Sequence, residues 1–167
     1  MRNELTRKDI EKMEEEIEYR RLVVRKEALE AVKEARSHGD LSENFEYYAA
    51  KRDKNQNESR IRYLERMIKT AVIVSEDSRE DEVGINNTVE VYFEEDDLTE
   101  TYKIVTTVRT NALQGLISTE SPLGKALLGQ KRGDRVKVQV DAGASYYVQI
   151  RNIENTVDDG SDPIRKY

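Results

Sequence analysis

The sequence predicts an α+β chain: an N-terminal antiparallel α-helical coiled-coil hairpin followed by a small antiparallel β-sheet domain with one helix. Three observations predict it. Residues 7–38 contain no Gly or Pro and repeat apolar residues every three to four positions, the period of an amphipathic helix. A second run of the same period follows a break at Gly39. Beyond Val74 the pattern changes to the alternating and β-branched runs of strands.

In the first run the apolar positions are Ile10, Met13 and Ile17, then Leu22, Val24, Ala28, Ala31, Val32 and Ala35. The second run extends from about Asn44 to Val72, with Ile61, Leu64, Ile68 and Ala71 on one stripe. Each run is expected to be ~45 Å long at 1.5 Å per residue. Two such helices with so short a connection pair antiparallel, because neither stripe is buried alone. Gly39 suits the position just past a helix, and Asp40 and Ser42 suit a helix start, so a break is preferred to one continuous coiled-coil helix.

The strands expected in the second half are Thr88–Phe93, Tyr102–Val105, Arg135–Val140 and Tyr146–Ile150. Ser121 to Gly129 reads as a short helix, with Ser121 as N-cap, Pro122 at the first helical position and Gly129 past the end. The expected divisions are residues 1–74 for the hairpin with an acidic tip at 39–46, 75–87 for a linker, 88–157 for the sheet domain and 158–167 for a loose polar tail.

Composition narrows the function. Among 167 residues, 37% are hydrophobic and another 37% charged, too few apolar groups for one large core. There is no Cys, which excludes disulfides, thiolate metal sites and Cys nucleophiles. No apolar leader or bilayer-length segment is present, so a soluble cytoplasmic protein with no membrane partner is expected. Residues 1–74 hold 17 Lys+Arg against 16 Asp+Glu, and the remainder 11 against 18. That balance makes duplex DNA a poor direct partner.

The tip is where chemistry concentrates. Asp40, Glu43 and Glu46 are spaced to share one side of a helix. Asp40 as N-cap with Glu43 as its reciprocal partner is one reading. The other is a site for a hard cation such as Mg²⁺, which wants six oxygens and so needs ligands from a partner. No nucleophile paired with a base is present, so no free-standing catalyst is expected; the lone His38 reads as a solvated turn residue. Arg36, Lys51 and Arg52, with Tyr47 and Tyr48 between, could grip single-stranded nucleic acid or form a solvated face over hairpin aromatics.

Gly39-Asp40-Leu41-Ser42-Glu43-Asn44, with Glu46-Tyr47 and Ala49-Ala50-Lys51, resembles the tip of the bacterial Gre family of transcript-cleavage (elongation) factors, GreA type. The likeness continues through Asn57-Glu58-Ser59-Arg60-Ile61, Leu116-Ile117-Ser118, Ser121 to Gly129, and Gly133-Asp134. The resemblance implies a factor that enters the secondary channel of RNA polymerase and stimulates cleavage of backtracked RNA. In that reading Asp40 and Glu43 help hold a second Mg²⁺, shared with the polymerase active site, and its attacking water. Arg36, Lys51, Arg52 and Tyr47 contact the 3′ end of the nascent RNA, and Glu120, Ser121 and Pro122 dock on the polymerase. The working form is expected to be a monomer, acting in transcription on DNA through the polymerase. Phe45 and Tyr48 depart from the small residue and His frequent at those positions in the family, and the tail is longer. The second half is also similar to the FKBP-like fold. That leaves a prolyl isomerase, a channel-binding inhibitor and a purely structural coiled coil as rival readings.

Overall fold

The computed structural model describes residues 3–39 and 44–166. The chain divides into two compact units, one of residues Ile10–Ala71 and one combining Asn3–Asp9 with Val72–Tyr167. The expected hairpin therefore begins later than residue 1, because the first described residues belong with the sheet.

The leading run is helical from Arg7 to Ser37, but in three pieces: α1 (Arg7–Tyr19), a π-helical turn (Arg20–Val24) and α2 (Arg25–Ser37). The second run is α3 (Phe45–Lys69). At 25 residues α3 is ~37 Å long, shorter than expected, because it ends at Lys69 and Ala71, expected on its stripe, enters a strand, Ala71–Ile73. Cross-helix partners run antiparallel: Arg60 meets Glu16, Asn57 meets Arg20, Glu58 meets Arg25 and Glu65 meets Arg21.

Met13, Ile17, Val32, Ala35, Ile61 and Leu64 are buried, as the periodicity predicts. Leu22 is 65% exposed, and Ala31 is exposed as well. The π turn accounts for Leu22: it has more residues per turn, so it rephases the stripe and turns Arg20 toward Asn57 of α3. Arg20 lies in a polar layer. Glu16 accepts from Arg20 Nε at 2.7 Å and from Arg60 Nε at 2.8 Å. Asn57 accepts from Arg20 Nη1 at 3.1 Å and donates to the Arg20 carbonyl at 3.2 Å. A polar layer of this kind fixes helix register, since any slip strands its charges.

Burial alone would raise the pKa of Glu16, but hydrogen bonds from Arg60 and Arg20 outweigh it and hold the carboxyl below its ordinary value. The hydrogen bond from Arg25 does the same for Glu58. A depressed folded-state pKa gives stability that is present above the unfolded value of 4.5 and lost as pH falls through the folded one. The melting of helical circular dichroism should thus be flat toward neutrality and fall below about pH 4.5. Glu16→Gln should start lower and fall less steeply.

The second unit is built on a five-stranded sheet in the order β5-β4-β3-β7-β6. Its strands are β3 (Thr88–Phe93), β4 (Leu98–Val105), β5 (Leu116–Ser118), β6 (Arg135–Gln139) and β7 (Ser145–Glu154). A short pair, β1 (Asn3–Leu5) and β2 (Ala71–Ile73), forms a separate two-stranded sheet. The large sheet is mixed rather than wholly antiparallel, because β5 joins the edge parallel to β4. A bulge in β7 leaves Arg151 outside the pairing with β3, and its guanidinium lies 4.5 Å from the Tyr92 ring centroid.

Alternation sets the buried face. Val89 and Val91 on β3, Val136 and Val138 on β6, and Val148 and Ile150 on β7 meet Leu127 of α4 (Pro122–Leu127) in one core. Ser121 caps α4 as expected, its Oγ accepting from Gly124 N at 3.1 Å. Gly124 is required there, since a Cβ would collide with the Ser118 carbonyl.

Two expected boundaries change. The second half of the expected linker belongs to the core: Val83 is buried in it, and Asn86 N donates to Ile104 O at 2.6 Å. The expected loose tail is anchored, with Asp158 and Ile164 buried and Arg165 N donating to Val108 O at 2.7 Å. The anchor is Arg109, whose Nε donates to Asp9 Oδ1 at 2.7 Å and whose Nη2 donates to Asp158 Oδ2 at 2.8 Å. Asp9 Oδ2 also accepts from Thr6 N and Thr106 Oγ1, while Thr6 Oγ1 accepts from Asp9 N. Thr6 and Asp9 thus make the reciprocal capping box of α1.

Candidate functional site

The hairpin tip is built by the end of α2 and the start of α3. Helix α2 stops at His38, and Gly39 follows at φ 115°, a conformation that suits glycine. Asn44 is the N-cap of α3: its Oδ1 accepts from Tyr47 N at 3.1 Å. Its Nδ2 donates to the Ala35 carbonyl at 2.6 Å, so one side chain satisfies both helix ends.

Asp40 and Glu43, the expected metal ligands, lie outside the described residues. Their expected partner on a shared helical side, Glu46, is in the first turn of α3, and its Oε2 is 2.8 Å from His38 Nδ1. The reading of Asp40 as N-cap of the second helix is corrected, because Asn44 holds that position. Among the described residues no group of three or more His, Asp or Glu is placed to hold a metal. Two carboxylates by themselves are only part of the oxygen set that Mg²⁺ takes.

Of the expected RNA-contacting residues, Arg36, Tyr47 and Lys51 come together and Arg52 does not. Arg36 Cζ lies 5.6 Å from the Tyr47 ring centroid. A hydrogen bond from Arg36, helped by Lys51 and Lys54, pulls the Tyr47 hydroxyl below its ordinary pKa. Arg52 is exposed and lies about 140° around α3 from Tyr47. In the second unit, Glu120 and Pro122 are exposed beside the partly buried Ser121, whose Oγ also donates to the Ser118 carbonyl at 2.7 Å.

Sequence reasoning missed the cap at Asn44, although an Asn just before the helix-forming run is a recognisable start signal. It also missed that Phe45 is 84% exposed. Arg20, Asn57 and Arg60 give no signal in a hydropathy pattern, because their value lies in one another.

The amino-acid sequence has counterparts among known proteins. A family model described as transcription elongation factor, N-terminal, matches residues 3–73, and one described as transcription elongation factor, GreA/GreB, C-term, matches residues 78–155. The chain belongs to the GreA/GreB family of transcription elongation factors. It is 48% identical over 140 residues to transcription elongation factor GreA of Thermoanaerobacter pseudethanolicus, covering 83% of this chain and 89% of that one. It is 43% identical over 153 residues to GreA of Streptococcus pneumoniae serotype 19F, covering 91% and 95%. The crystal structure of GreA factor homolog 1 of Thermus thermophilus aligns over 92% of this chain and 99% of that one, at 28% identity and a TM-score of 0.43. No described helix is long and apolar enough to cross a membrane.

Proposed function

We propose that this transcription elongation factor binds RNA polymerase at its secondary channel and stimulates the polymerase's own endonucleolytic cleavage of backtracked nascent RNA, so that arrested complexes resume. The observation that supports this most is at the tip. Asn44 caps α3, so Asp40 and Glu43 are not needed to start that helix.

The chain has no free-standing activity. Asp40 and Glu43 would hold Mg²⁺ only with carboxylates of the polymerase. When bound, that ion supplies Lewis acidity and a water of lowered pKa. Arg36, Tyr47, Lys51 and Arg52 take the 3′ end of the RNA, and Glu120, Ser121 and Pro122 dock on the polymerase. The factor works in the cytoplasm as a monomer.

Docking has a clean probe in Glu120, because Ser121 is committed to its cap and substituting it also weakens α4. Glu120→Lys should weaken association with purified RNA polymerase by roughly tenfold, measured by titrating labelled factor, with unchanged thermal unfolding. Unchanged affinity would remove Glu120 from the interface. No association of the unsubstituted chain with polymerase would remove the proposal itself.

A further inference from the structure

A groove of about 610 Å³ runs along one side of the hairpin, between α1 with its π turn and α3. Its floor is apolar: Ile17 is buried, Ile68 is half-buried, and Leu22, turned to this side by the π turn, is 65% exposed. Leu29, 48% exposed, follows seven residues on, two turns further along the same side. Two leucines beside an open apolar groove make a continuous patch, unlike the single exposed apolar residues that every surface carries.

The two rims of the groove carry opposite charge. On α1, Glu11, Glu14 and Glu18 are exposed and lie within an arc of about 60°. On α3, Arg62, Arg66 and Lys69 are exposed and also span about 60°. Glu65, the acid on that rim, is neutralised by its ion pair with Arg21. Lys12, the cation among the α1 acids, stands about 100° or more around the helix from all three.

We infer that the occupant of this groove is a second copy of the chain, packed groove to groove with the two hairpins parallel about a two-fold axis along the groove. A half-turn about that axis carries the acidic rim of one copy over the basic rim of the other. The antiparallel arrangement sets acid against acid and cation against cation, so charge selects the parallel one. A foreign helix would have to bring matching rims; this chain carries the match itself, which is the self-complementarity that a two-fold dimer needs. Leu22 of each copy then meets Leu22 of the other over a shared floor. That floor is small against the roughly 800 Å² a side of a stable interface, so pairing is weak, half complete at roughly 10–100 μM. Its consequence rests on the proposed function: a channel that admits one hairpin takes only the monomer, and the dimer is a reserve.

The test uses the full chain. Sedimentation velocity at rising concentration should show monomer giving way to dimer at roughly 10–100 μM. Leu22→Glu should raise that midpoint roughly tenfold or more, with helical circular dichroism unchanged because Leu22 is exposed. Glu14→Lys with Glu18→Lys, and Arg62→Glu with Lys69→Glu, should each stay monomeric, while an equimolar mixture of the two should pair. The chain has no Cys, so Leu22→Cys and Leu29→Cys can be oxidised singly; both should give a disulfide-linked dimer, and Val23→Cys, about a quarter-turn around the helix, should not. A monomer at every concentration up to about 500 μM, pairing by either charge-reversed variant alone, or cross-linking at one leucine only would overturn the inference. These measurements contain no polymerase, so failure of the cleavage reading leaves them as they stand and the two are distinguishable.

Discussion

Arg109→Leu is expected to unfold the second unit at temperatures where the unsubstituted chain is intact. Arg109 is 3% exposed and donates to Asp9, Asp158 and the Asp162 carbonyl, the last at 2.5 Å. Leucine fills part of the volume but leaves two buried carboxylates without their cation. Breaking a buried pair by removing one partner costs about 3–5 kcal/mol. A domain has only about 5–15 kcal/mol in total, so this loss is large. Three stretches far apart in sequence, around residues 6–9, 106–109 and 158–162, share that guanidinium. The expected signature is one cooperative transition moved to much lower denaturant, read by tyrosine fluorescence. Because replacing a whole buried pair by apolar groups can be nearly neutral, adding Asp9→Leu and Asp158→Leu should recover part of the loss. A cost of Arg109→Leu below about 1 kcal/mol would mean the site is no more than a surface ion pair.

Asp40→Ala together with Glu43→Ala should cut stimulated RNA cleavage by roughly a hundredfold or more, the scale on which a pre-organised transition-state contact acts. Binding to polymerase should stay nearly unchanged, and so should helix content. The reason lies in Asn44: with the start of α3 capped by its side chain, the helix does not depend on either acid. A structural role for the acids predicts the opposite pattern, with lowered helix stability and weakened binding together. Raising Mg²⁺ should partly restore the variant, because the polymerase still provides its share of the ligands.

Much of this was legible in sequence, and the failures have physical causes. Period alone located both helices, since Met13, Ile17, Ile61 and Leu64 bury as spaced. Strands Thr88–Phe93 and Arg135–Gln139 follow from alternation, and α4 from Ser121 and Pro122 as cap and first residue. The π turn was not legible, because it depends on Arg20 finding Asn57 across the hairpin. Nor was β5, where three residues are too few for a period, or the tail, whose polar residues look solvated until Arg109 is placed beside them. At the tip a capping box at Asp40 and Glu43 was one of two readings, and both residues lie outside the described ones; among the described residues a reciprocal box lies at Thr6 and Asp9.

Under the proposed function this chain completes an activity of the polymerase. The most direct measurement is the rate of RNA shortening in purified, stalled, backtracked polymerase complexes, with and without the chain, beside the same RNA incubated with the chain alone. Rapid shortening is expected only when both polymerase and chain are present. Shortening by the chain alone, or none beyond the polymerase's own slow rate when both are present, would contradict it.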